Sequence, residues 1–143
     1  MITNAEWAAQ LRQELTGNIL PFWMRHTVDR INGGFFGGID CDLRVDTHAV
    51  RASVINSRIL WTFSAAARVL GSAAYRDIAD WAYEYIVDKF WDREFGGVYW
   101  MLDYQGNAIS DRKQIYAQAF AAYGMAEYFR ATGRVESLEY AQK

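Results

Sequence analysis

Two segments of this chain are apolar around nearly the whole circumference of a helix. That restricts the available folds more than any other feature of the sequence. The segments are "VRASVINSRILWTFSAAARVLG", ending at Gly71, and "QIYAQAFAAYGMAEYFRATG", ending at Gly133. A helix with no polar face is expected to be buried on all sides, and the terminal glycines are natural stops. Each segment is preceded by an amphipathic one. In the first, Trp7, Leu11, Leu15, Ile19, Phe22 and Trp23 keep helical spacing with Glu6, Arg12 and Glu14 between them. Gly17 and Pro21 are expected to kink or split that helix. In the second, Tyr75, Ile78, Ala82, Tyr85, Ile86 and Phe90 form the apolar stripe, opposed by Arg76, Asp77, Asp80, Glu84 and Asp88.

The alternation is a repeat. GGFFGGID at Gly33–Asp40 and GGVYWMLD at Gly96–Asp103 share the pattern Gly-Gly-apolar-aromatic-x-x-aliphatic-Asp, 63 residues apart. GSAAYRDIA from Gly71 and GRVESLEYA from Gly133 correspond at an offset of 62. Two anchors at nearly one period indicate a repeated structural unit. Half-exposed helices alternating with fully apolar ones are satisfied by two concentric layers, amphipathic outside and apolar inside. The paired glycines permit tight turns with positive φ, and "VYWML" favours a short extended piece with "YQGN" as the turn of a β-hairpin. The expected fold is all-α, an α/α toroid with short β-hairpins between helices. A third amphipathic segment starts at Glu136, so residues 1–143 are expected to form one N-terminal, partial domain of two helix pairs plus the start of a third. The unclosed end is expected to expose apolar surface through which the chain self-associates.

Bulk properties narrow the function. A net charge of −2 offers no basic surface to a phosphate backbone, which argues against nucleic acid as a partner. The single cysteine, Cys41, cannot form an internal disulfide and fits a reducing compartment. The N-terminus lacks the apolar core of a signal peptide, and no run approaches the roughly 18 apolar residues of a membrane helix. The chain is expected to be soluble and cytoplasmic.

Arg58 is the most informative side chain, a guanidinium in the middle of an otherwise apolar helix. A buried charge needs a partner. Arg58 is either half of a structural ion pair or projects into a polar cavity, where its rigid fork of donors binds a ligand oxygen. Counted back from Gly71 and Gly133, Arg58 and Tyr116 differ by four residues, one helical turn, and share a face of equivalent inner helices. Tyr116 is either a ligand contact on that face or a core tyrosine. Trp61, Tyr99, Trp100 and Tyr104 suit either a core or a sugar-stacking surface. Asp103 and Asp111 are expected to be turn and cap residues, and Asp40, Asp42 and Asp46 have no metal-site spacing. The only histidines, His26 and His48, lie outside the inner helices. No phosphate loop, His-Cys cluster or Ser-His-Asp set is present, so neither a metal nor a cofactor is implied.

In "ILPFW", "NGGFFGGID", "NSRILWTFSAA", "AYEYI", "FGGVYWMLDYQGN" and "KQIYAQAFAAYGMAEYFRATG" the chain resembles the N-acylglucosamine 2-epimerase superfamily, its cellobiose 2-epimerase branch most of all. The resemblance runs over essentially the whole chain. It implies the first third of an (α/α)6 barrel and a cofactor-independent sugar isomerase whose partner is a small-molecule sugar. The implied reaction inverts C2 of the reducing-end glucose of a β-1,4-linked disaccharide by proton abstraction through a cis-enediolate. The arginine of the family's "SRILW" motif corresponds to Arg58, in the role of oxyanion stabilisation. The tyrosine of "KxxYxxAF" corresponds to Tyr116, in the role of substrate binding. The family's two acid/base histidines come from later inner helices, so the 143 residues alone are expected to be inactive. Competing readings are an aldose–ketose isomerase of mannose type on the same fold, a non-catalytic helical-repeat scaffold, and a sugar-binding remnant.

Overall fold

A computed structural model describes residues 2–143. The first outer helix runs through α1 (Asn4–Glu14), a π-helical turn over Leu15–Ile19 and α2 (Leu20–His26). Thr3 caps it by accepting from the Glu6 amide, while the Glu6 carboxylate accepts from the Thr3 amide, a complete capping box. Gly17 and Pro21 neither break nor split the rod. Pro21 cannot donate to the carbonyl four residues back, and its ring would crowd that carbonyl, which belongs to Gly17. The wider π turn through Gly17 relieves both demands.

The rest of the first unit is a hairpin of β1 (Gly38–Ile39) and β2 (Val45–Asp46), then β3 (Arg51–Ala52) and the inner helix α3 (Ser53–Leu70). The second unit has α4 (Ala73–Tyr85) continued by a π-helical turn over Ile86–Phe90. It then runs through the hairpin of β4 (Met101–Leu102) and β5 (Ala108–Ser110) into the inner helix α5 (Ile115–Thr132). Helix α6 (Val135–Gln142) begins a third. Gly71 and Gly133 end the two inner helices in the left-handed conformation, as the sequence predicts.

The period holds at the level of single hydrogen bonds. Asp40 Oδ1 accepts from the amides of Asp42 and Arg44, and Asp103 Oδ1, 63 residues on, accepts from those of Gln105 and Asn107. These bonds close the two hairpin turns, the second of which contains the expected "YQGN". In the first turn Leu43 has φ 62°, and its counterpart Gly106 has φ 91°. Strand β3 pairs with β4 (Arg51 with Leu102, Ala52 with Met101), tying the first unit to the second hairpin.

Helix α3 lies between α4 and α5. Ile59, Leu60 and Phe63 from α3, Ile78, Ala82, Ile86 and Phe90 from the second outer helix, and Ala121 and Met125 from α5 form the core. Helices α3 and α5 approach closely at Gly124, where a Cβ would lie 2.7 Å from the Ser57 carbonyl oxygen. Two expectations need correction. The inner helices are not buried all round: Arg58 is exposed on α3, and Tyr116 and Tyr123 are exposed on α5. The Trp7–Leu11–Leu15–Ile19 stripe is also unpartnered, and α1 has no buried residue. Apolar composition alone does not bury a helix face; burial depends on what packs alongside it. Asp111 does not cap α5 either; the N-cap is Gln114, with no side-chain hydrogen bond.

Candidate functional site

Each inner helix starts from a braced crossover. In the first unit Asp29 follows the outer helix and Arg51 precedes the inner one. Asp29 Oδ1 accepts from the Ile31 and Asn32 amides, and Oδ2 accepts from the Asn32 side-chain amide and, at 2.5 Å, from Arg51. Arg51 also donates to the Gly33 carbonyl and, at 3.0 Å, to the Tyr85 hydroxyl. Arg51 and Asp29 are each 1% exposed. Burial works to raise the Asp29 carboxyl, but hydrogen bonds from Asn32, Ile31 and Arg51 overcome it and hold the group below the usual carboxylate range. Burial pushes the Tyr85 phenol up, against the opposing pull of Arg51.

The second unit repeats the device 63 and 62 residues later. Asp92 Oδ1 accepts from the Glu94 and Phe95 amides, and Asp92 pairs with Lys113 at 2.8 Å. The hydrogen bond from Lys113, opposed by desolvation and helped by the two amides, lowers the Asp92 carboxyl to about 2. Gln118, on the first turn of α5, accepts from the Val98 amide and donates to the Val98 carbonyl, both at 2.8 Å. A Cβ at Gly97 would stand 2.5 Å from the Gln118 oxygen, so a side chain there would push that amide off Val98, in addition to the strain of a φ of 70°. The glycine-aromatic stretch therefore locks the crossover onto the start of the inner helix.

Those starts carry the candidate site. A cleft of about 410 Å³ is lined by Arg58, Trp61 and Thr62 from α3 and by Tyr116, Phe120 and Tyr123 from α5. Arg58 and Tyr116, the two site residues expected from the sequence, thus lie on one wall-to-wall feature. Arg58 and Thr62 also line an adjoining hollow of about 350 Å³ with Ile19, Trp23 and Ile55, so Arg58 borders both. Arg58 is not buried, and among the described residues it has no carboxylate partner. The structural ion-pair alternative is therefore not realised. Its guanidinium carbon instead lies 5.9 Å from the centroid of the Phe120 ring. Phe120 meets Tyr116 edge to face at 4.9 Å and 72°, and Trp61 stacks flat on Tyr123 at 4.9 Å and 9°. Tyr116 is 61% exposed and lines the cleft, so it is not a core tyrosine.

The sequence reading missed Phe120, Tyr123 and both braces. A usable signal existed, because Asp29 and Asp92, and likewise Arg51 and Lys113, sit at equivalent points of the two units. His26 packs on Phe22 and His48 on Tyr104, and neither lines the cleft. Among the described residues no three His, Cys, Asp or Glu side chains are grouped to hold a metal ion. Among the described residues no helix is long and apolar enough to cross a membrane.

Comparison with known proteins puts this geometry in context. The sequence profile of the family described as N-acylglucosamine 2-epimerase (GlcNAc 2-epimerase) matches residues 34–143. The chain belongs to the N-acylglucosamine 2-epimerase family. Within it, a cellobiose 2-epimerase of Bacteroides fragilis is 48% identical over 132 residues, 92% of this chain and 34% of that protein. One from Ruminococcus albus is 42% identical over 135 residues, 94% of this chain and 34% of its own length. The chain thus spans about a third of the curated relatives it matches. The solved cellobiose 2-epimerase from Bacillus thermoamylovorans superposes with a TM-score of 0.92 at 43% identity, over 95% of this chain and 35% of that one. A D-mannose isomerase structure superposes at 0.78 with 21% identity over 98% of this chain and 34% of that one, a likeness of fold alone. The family fold agrees with the helical-layer architecture expected from the sequence.

Proposed function

We propose that the protein carrying this chain is a carbohydrate 2-epimerase of cellobiose 2-epimerase type. Residues 1–143 are its N-terminal, partial barrel domain. It inverts C2 of the reducing-end glucose in a β-1,4-linked disaccharide. The observation that carries this reading is an unpaired guanidinium facing a tyrosine across an aromatic-walled cleft of sugar size.

Proton abstraction at C2 of an opened aldose leaves negative charge shared between O1 and O2. A guanidinium whose donors are not spent on a carboxylate is suited to that charge, as it stays cationic and can meet two oxygens at once. The Arg58 donors supply this stabilisation, and the Tyr116 hydroxyl hydrogen-bonds the sugar at its reacting end. Inversion further requires one acid/base group on each face of C2, with a pKa near neutrality, for which histidine is suited. Neither His26 nor His48 lines the cleft, so the isolated 143 residues are expected to be inactive. The reaction needs no cofactor, and its partner is a small sugar. The exposed apolar stripe on α1 and the open face of α5 support self-association of the isolated chain. A single exposed cysteine, Cys41, is consistent with a reducing, cytoplasmic setting.

The test is incubation of the protein with cellobiose and chromatographic separation of the mannose-ended epimer. Arg58→Ala is expected to lower kcat by about 10²–10³-fold, as for loss of an oxyanion donor, with the melting temperature nearly unchanged. A fructose-ended product would assign aldose–ketose isomerisation instead. Undiminished turnover in Arg58→Ala would remove the arginine from the mechanism.

A further inference from the structure

We propose that Phe120 is a positioning residue: its ring is the platform that holds the Arg58 guanidinium over the cleft with its hydrogen-bond donors free. This rests on the reading of Arg58 as the oxyanion-stabilising group. Phe120 belongs to the KQIYAQAF stretch, from which the mechanism above uses only the tyrosine.

Phe120 is the sixth residue of the 18-residue α5, and Arg58 is the sixth of the 18-residue α3. The repeat therefore sets the two side chains opposite each other across the α3–α5 contact. The Arg58 guanidinium carbon lies 5.9 Å from the ring centroid, within reach of a cation–π attraction. The ring is itself held. Tyr116 abuts it at 4.9 Å and 72°, Tyr123 at 6.3 Å and 88°, and Tyr123 is backed by the flat stack on Trp61.

A long, exposed arginine loses rotamer entropy when it is ordered on a substrate. A carboxylate partner would order it too, but it would take two donors and neutralise the charge that the reaction needs. An aromatic face attracts the cation without accepting a conventional hydrogen bond. It leaves the N–H fork pointing outward in the guanidinium plane. Because Phe120 also touches Tyr116, the ring sets the spacing between the two groups that meet the sugar.

The test has one readout that needs no substrate. The Arg58 side-chain Nε–H resonance, assigned by its disappearance in Arg58→Lys, is followed by ¹⁵N relaxation in wild type, Phe120→Leu and Phe120→Tyr. Phe120→Leu is expected to remove the ring-current shift of that resonance and lower its order parameter into the flexible range, below about 0.6. Phe120→Tyr is expected to retain both. In cellobiose turnover, Phe120→Leu is expected to lower kcat on the order of 10-fold with little change in KM, and Phe120→Tyr to restore it. An Arg58 resonance unchanged by Phe120→Leu, or lost equally in Phe120→Tyr, would overturn the proposal. If Phe120→Leu fails to fold, Phe120→Met removes the ring while keeping flexible bulk, and the same two outcomes decide. A protein that turns over no sugar but shows the Phe120-dependent Arg58 signal would sink the epimerase reading and leave the platform standing.

Discussion

Lys113 holds the Asp92 carboxylate at 2.8 Å, three residues before Tyr116, and repeats one unit later the ion pair that Arg51 makes with Asp29. Both pairs join the end of an outer helix to the residues that launch an inner one. The position of the cleft residues along α3 and α5 is therefore referred back to two carboxylates that never enter the cleft.

The pH dependence of stability follows from Asp92. Its folded pKa of about 2 lies below the ordinary 3.8. A depressed carboxylate contributes stability that is fully present above about pH 4 and is lost as pH falls through 3.8 toward 2. Asp29, also held low, acts in the same direction. Asp92→Asn is expected to have a lower urea midpoint than wild type at pH 6, with the gap closing between pH 4 and pH 2. A gap independent of pH would mean that the Lys113 contact contributes nothing through charge.

Arg51 is enclosed, and removing it strands the Asp29 charge. Arg51→Met is expected to cost about 3–5 kcal/mol in denaturant unfolding. Asp29→Asn combined with Arg51→Met is expected to recover a large part of that loss, since the stranded charge goes with the pair. The double-mutant cycle measures the coupling directly.

Leu43 occupies a left-handed conformation that its counterpart meets with Gly106. That conformation costs a non-glycine residue roughly 1–2 kcal/mol, partly offset by the greater unfolded-state freedom of glycine. Leu43 is half exposed, so little burial is at stake. Leu43→Gly is expected to raise stability by about 0.5–1 kcal/mol, visible as a melting temperature a few degrees higher.

Gly124 faces the Ser57 carbonyl, one residue before Arg58. Gly124→Ala places a methyl against backbone that cannot yield without moving α3 away from α5. The expected cost is about 1–3 kcal/mol, read from denaturant midpoints. If the helices part, turnover in the assembled enzyme should fall further than stability alone accounts for, because Arg58 and Phe120 ride on those two helices.

Features governed by a few neighbouring residues were legible in the chain. Gly71 and Gly133 stop their helices, Asp40 and Asp103 close their turns, and the period of the units shows directly, because backbone sterics and local hydrogen bonds act within four or five residues. The same register also put Arg58 and Tyr116 on matching faces. Tertiary structure decided what depends on packing partners. Arg51 and Asp29 are 22 residues apart; their repeat positions match those of Lys113 and Asp92, but only the folded crossover makes them a pair. Helix α3 looks apolar all round, but which of its sides faces water is set by the helices beside it, and that leaves Arg58 open with Phe120 beneath it. The π turn through Gly17 is of the same kind: proline chemistry announces a conflict at Pro21, and the fold chooses widening over a break. Local sterics are written residue by residue, while charge pairing and exposure are properties of neighbours that only the folded chain brings together.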